Sequence, residues 1–248
     1  MESEAMFAHT LFQYGPLVIR DTVVTTWLLM VALWIGAWLA TRRLKAHPGL
    51  VQTAVEGAVT AMAGTVREAL PRHADAVLPF VLSLWVFLVA ANLVGLIPGL
   101  HSPTRDLSAT AALAVLVFLS VHWFGIRALG FKNYLRHYLS PSPILLPFHI
   151  ISEITRSLAL AVRLFGNMMS LELVALLLVW VGGLLVPIPI LMLHIVEALV
   201  QAYIFGMLAL VYIAGAIQTG ALAKASADLA QAGPDTARKP APNPEQDQ

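Results

Sequence analysis

Arg163 lies in the run Ser157-Leu-Ala-Leu-Ala-Val-Arg163-Leu-Phe-Gly-Asn167-Met-Met, which otherwise has the apolar character of a membrane-buried helix. A guanidinium at mid-bilayer costs roughly 2.5–3.5 kcal/mol on insertion scales. Arginine cannot escape that cost by losing its proton. The same region of the chain carries Glu153, Arg156, Glu172 and Glu197, with His149, Ser152, Asn167, His194 and Gln201. Carboxylates and imidazoles accept and release cations, and a permanent positive charge repels them. Gathered in apolar surroundings, these groups suit the passage of a cation between sites and the blocking of its direct escape.

Helical spacing sorts them by face. At about 100° per residue, Arg156, Arg163 and Ser170 fall within about 20° of one another, and Asn167 lies about 40° from Arg163. Glu172 falls on the opposite side from Arg163. Further along, His194, Glu197 and Gln201 share a stripe about 60° wide. Arg163 therefore faces one partner and Glu172 another.

The elements that must hold these groups are membrane spans. The chain has 248 residues, is 58% hydrophobic and only 12% charged, with a mean hydropathy of +0.78. Soluble domains carry about 25% charged residues, so the composition predicts an integral membrane protein. A net charge of +1 argues against a nucleic-acid partner. Without cysteine there is no disulfide and no thiolate metal site. The acidic Met1-Glu-Ser-Glu4 start predicts no cleavable signal peptide.

Apolar runs predict spans over about 23–40, 77–97 and 109–126, each near the ~20 residues a bilayer core requires. The stretch 47–75, with Glu56, Arg67 and Glu68, is amphipathic and is expected to lie at the interface. From Pro147 to Val181 only Gly166 interrupts the pattern. That run would extend roughly 50 Å as helix, against a core of about 30 Å. The run from Ile190 to Leu222 is nearly as long. The expected fold is thus all-α: about five crossings plus an interfacial helix, the last two forming a long, steeply tilted antiparallel hairpin. Its turn is expected at Gly182-Gly183 and Pro187-Ile-Pro189. Residues 1–22 read as an external segment, 23–222 as the membrane domain with an ion-translocating hairpin over 147–222, and 223–248 as a disordered cytoplasmic tail.

Basic residues set the orientation. Arg42, Arg43, Lys45, Arg67, Arg72, Arg127, Lys132, Arg136, Lys224, Arg238 and Lys239 fall on one side, whereas the other has only Arg20 and Arg105, each beside an aspartate. The N-terminus is expected outside and the C-terminus in the cytoplasm. His149, Ser152 and Glu153 then lie toward the cytoplasm, Arg163 and Gln201 midway, and Glu172, His194 and Glu197 toward the outside. Two polar clusters reaching opposite surfaces, separated by a fixed cation, predict two offset half-channels. His122, near a cytoplasmic helix end, is the one ionisable group inside the first three spans and reads as interfacial.

Three ordered motifs carry a family likeness. Arg163-Leu-Phe-Gly-Asn167-Met168 resembles the RLFGNM signature of subunit a of the F-type ATP synthase. Leu199-Val-Gln201-Ala-Tyr-Ile-Phe205 is similar to that family's LQAFIF or IQAYVF stretch, and Ala91-Asn92-Leu-Val-Gly-Leu-Ile-Pro98-Gly99 to its NLLGLIPG. The resemblance covers residues 75–215. It implies that Arg163 faces the ring of c subunits and keeps protonated and deprotonated ring carboxylates apart. Asn167 would line that surface, and Gln201 would sit opposite Arg163. Glu172, His194 and Glu197 would line the outer half-channel, and His149, Ser152 and Glu153 the cytoplasmic one. Partners would be the c ring, peripheral-stalk b subunits and the bilayer, in a bacterial plasma membrane. The coupling ion, H⁺ or Na⁺, is not readable. Here Ser170-Leu171 precedes Glu172 where family members often carry a pair of small residues.

No G-x-x-x-x-G-K-[ST] motif or soluble domain is present, so no nucleotide site, catalytic site or cofactor is expected in this chain. His194-Ile-Val-Glu197 lacks a third ligand at helical spacing and is a poor metal site. The alternative is a stand-alone channel or a secondary transporter. A transporter would show repeated halves with broken helices at mid-membrane, and no repeat is visible.

Overall fold

The computed structural model describes residues 10–14, 17–42, 49–97, 102–131, 134, 146–182 and 188–231. Long helices dominate: α1 (Asp21–Arg42), α2 (Leu50–Ala69), α3 (Ala74–Val94), α4 (Leu107–Leu129), α5 (Leu146–Gly182) and α6 (Ile188–Gln231). All but α2 are long and apolar enough to cross a membrane. The chain is an all-α, multi-pass membrane protein, as its composition predicts.

Two differences from the sequence reading stand out. Strands β1 (Thr10–Tyr14) and β2 (Leu17–Arg20) pair as an antiparallel hairpin inside the expected external segment. Their aromatic and β-branched residues favour extended backbone. The last helix runs on to Gln231, past the expected tail boundary at 223. Alanine, the strongest helix former, occupies about every second position there and offsets the polar residues. Residues 232–248 lie outside the described residues. The long hairpin is close to expectation, with α5 ending at Gly182 and α6 beginning at Ile188. Pro189 falls in the first turn of α6, where its missing N–H costs nothing. Residues 183–187 of the expected turn also lie outside the described residues.

Local signals end the helices. Asp106 caps α4 by accepting from the Ser108 backbone N–H at 3.0 Å and its hydroxyl at 2.7 Å. Gly130 terminates it with φ of 80°, a conformation that costs glycine little, and its N–H closes onto Ile126 O at 2.8 Å. A 3₁₀ turn over Pro103–Arg105 leads from α3 into α4.

The core is built around α6. Ala202, Phe205, Ala209, Leu210, Ile213 and Ile217 meet Val81, Trp85 and Leu88 of α3, Val117 and Val121 of α4, and Leu160 and Leu164 of α5. Val66 and Leu70 bring the end of α2 into the same cluster. Trp85 is fully buried, donates its indole N–H to Tyr203 O at 3.2 Å and stacks on the Tyr203 ring. A Cβ on Gly206 would lie only 1.9 Å from that indole nitrogen, so the glycine opens the notch the tryptophan fills. α5 and α6 each pack more extensively on α4 than on one another. α1 is the least enclosed span, with Trp27, Leu28 and Trp34 largely exposed.

Candidate functional site

On α5, Leu160, Ala161, Leu164 and Met168 form the buried stripe. Arg163 stands off that stripe and is exposed, on the face it shares with exposed Arg156 and Ser170. Among the described residues it has no hydrogen-bond or ion-pair partner. A guanidinium that is exposed and unpaired among the described residues faces outward from the bundle.

One turn along, the half-buried Asn167 donates its amide to Gln201 Oε1 at 2.6 Å, tying α5 to α6. Gln201 is almost wholly buried, and its own amide nitrogen has no partner among the described residues. Such an orphaned donor is costly in apolar surroundings. The sequence placed Gln201 at the depth of Arg163 and Asn167 near its face, and the structure brings the two amides together.

Toward one end of the bundle, His149, Ser152, Glu153 and Arg156 of α5 line a cavity of about 360 Å³ with Tyr134 and with Tyr212 and Thr219 of α6. All three residues assigned by sequence to the cytoplasmic cluster therefore share one open space. The Arg156 guanidinium sits 4.7 Å above the Tyr212 ring, a cation–π contact. His122 of α4, read from sequence as merely interfacial, reaches Glu153 with Nε2 3.5 Å from Oε2.

Toward the other end, half-buried His194 places Nε2 3.3 Å from Asn92 O. Asn92 is fully buried. Its amide donates to Ala198 O at 3.2 Å, and its Oδ1 accepts from the Thr104 hydroxyl at 2.9 Å. Ser102 lies 2.6 Å from Thr104 and donates to Ala91 O at 2.8 Å. The carbonyls of Ala91 and Asn92 belong to the last turn of α3, which has no intrahelical donors for them. The network satisfies that helix end and pins it to α6 between His194 and Gln201. Glu197 is half-buried on α6 beside Ala198. The Glu172 side chain lies outside the described residues, although its backbone is helical.

Sequence reasoning missed Asn92, Ser102, Thr104, Tyr134, Tyr212 and Thr219. Asn92 had a signal, since an amide inside an apolar span must find partners. The others depend on which helices meet.

Comparison with known proteins gives a consistent result. The family model described as "ATP synthase A chain" matches residues 23–214. "ATP synthase subunit a 2" of Pelobacter propionicus is 68% identical over 209 residues, covering 84% of this chain and 92% of that protein. "ATP synthase subunit a" of Legionella pneumophila is 56% identical over 219 residues, covering 88% and 95%. "ATP synthase subunit a 2" of a Bradyrhizobium species is 46% identical over 224 residues, covering 90% and 100%.

Proposed function

The chain belongs to the ATP synthase A chain family, and from that premise we propose that it is the ion-translocating stator subunit of a rotary F-type ATP synthase. Its hairpin α5–α6 provides two offset half-channels serving a ring of c subunits. Arg163 faces the ring, with Asn167 and Gln201 supporting that surface. Glu172, His194 and Glu197 line the outer path, and His149, Ser152 and Glu153 the cytoplasmic path. The complex sits in a bacterial plasma membrane, with peripheral-stalk b subunits as further partners and the N-terminus of this chain outside.

An ion entering from outside passes the acidic and imidazole groups of the outer path and reaches a ring carboxylate beside Arg163. Once neutralised, that carboxyl can turn into lipid, where an unpaired charge would be prohibitive. After nearly a full turn it meets the inner cavity, releases its ion past Ser152 and Glu153, and returns as a carboxylate to Arg163. The arginine attracts the charged form and repels a cation attempting the direct route. A tight, desolvated ion pair would stall rotation. Gln201, bonded to Asn167 behind that surface, and water in the channels keep the grip loose.

The observation that carries this reading is the outward-facing Arg163, unpaired among the described residues. It stands between a polar cavity and a buried polar network. In the purified complex, Arg163→Ala should abolish ion-driven ATP synthesis and make the membrane sector leak ions. Normal synthesis by an assembled Arg163→Ala complex would overturn the reading.

A further inference from the structure

His122 is the one ionisable side chain inside the first three spans, and the half-channel scheme gives it no task. Its Nδ1 lies 2.9 Å from Phe118 O. A carbonyl only accepts, so Nδ1 must carry a hydrogen there. That fixes the options at the other ring nitrogen, which faces Glu153 Oε2 at 3.5 Å. Either one proton lies between Nε2 and the carboxyl, or a lone pair confronts a carboxylate. The second arrangement is repulsive, more so because both side chains are largely shielded from solvent.

Resting on the half-channel reading above, we propose that His122 is a positioning residue for Glu153: the two share one exchangeable proton and thereby hold the carboxyl against α4, at the wall of the inner cavity. When that proton passes to cavity water, Nε2 is left with its lone pair and Glu153 with its negative charge. The contact then loses its attraction. The carboxylate is freed toward Arg156, which lines the same cavity. The groups facing the pair from packed elements are Tyr134, whose ring meets the imidazole edge-on at 6.1 Å, His149 and Arg156 of α5, and Tyr212 of α6. Phe118 covers the other side of the imidazole at 4.4 Å. His122 itself is not among the cavity-lining residues; Glu153 is the member that reaches both places. The position of the Glu153 carboxylate, and with it ion release, thus follows the proton activity of the cytoplasmic side.

The test uses the complete ATP synthase in liposomes, with ATP-driven ion uptake measured against pH on the nucleotide side between about 5 and 8, where imidazoles titrate. A limb that depends on one proton changes about tenfold per pH unit. In His122→Gln the amide keeps a donor toward Glu153 but cannot exchange a proton, so one such limb should disappear. Glu153→Gln should remove the same limb, and the double variant should change nothing more. An unaltered profile overturns the proposal. So does an equal loss of rate at every pH, which would make the pair only a brace. If His122→Gln fails to assemble, Glu153→Gln poses the same question from the other helix. Arg163→Ala is run in parallel. If that variant still couples, the half-channel reading itself fails; if it is dead while the His122 profile is unchanged, only the present proposal falls.

Discussion

Arg163 was legible from sequence because its cost is local: a permanent charge inside an apolar run needs no knowledge of the fold to be noticed. Spacing put Asn167 near the face of Arg163, the family resemblance set Gln201 opposite it, and the structure joins the two amides by a 2.6 Å hydrogen bond. The contacts between His122 and Glu153, and between Asn92 and Ala198, were not legible. Periodicity places a residue on a face of its own helix but says nothing of which helix that face meets. Arginine's planar fork is less tightly hydrated than an ammonium. Arg163→Lys should therefore lose coupled synthesis although charge is retained, as read by ATP formation in energised vesicles. Glu172→Gln should lower ion flux while the subunit still co-purifies with the complex; undiminished flux would remove Glu172 from the path. Asn92→Leu removes the acceptor of the Thr104 hydroxyl and the donor to the Ala198 carbonyl. It should destabilise the subunit by about 1–3 kcal/mol, visible as a lower thermal midpoint of the detergent-solubilised complex.

Among the elements, the spans were readable within a few residues because bilayer thickness imposes one length on them. The amphipathic α2 was readable because its charges forbid crossing. The β1–β2 hairpin was missed, since two short strands carry little pattern. The extension of α6 to Gln231 was missed because polar composition was weighed above the helix propensity of alanine. Packing between elements follows a rule visible only in three dimensions: small residues admit large neighbours. Gly206 receives Trp85, and a Cβ on Gly220 would come within 2.0 Å of Leu129 Cδ1. Gly206→Leu should cost about 1–3 kcal/mol through overpacking, or prevent assembly. Adding Trp85→Ala to it should recover part of the loss, whereas additive effects would show that the two do not share a notch.

At the scale of the whole molecule, five crossings and the one-sided distribution of basic residues predict opposite locations for the two ends of the chain. The natural absence of cysteine makes this straightforward to test. Ser3→Cys should react with a membrane-impermeant maleimide applied to intact cells, and Ala241→Cys only after permeabilisation; the reverse would invert the scheme. Enclosure is uneven across the bundle. α6 is wrapped by α3, α4 and α5, whereas α1 stands at the edge with its tryptophans exposed. The seating of Trp85 on Gly206 has a mechanical meaning in such a bundle. A rotor of the kind proposed above would push sideways and lengthwise on this bundle, in which α5 and α6 lean on each other only lightly. The indole wedged into α6 acts as a shear pin: neither helix can slip along its neighbour by a single residue without driving ring atoms into backbone. If the chain serves the rotor proposed above, thrust arriving at that surface would be passed into the bundle instead of being lost in sliding.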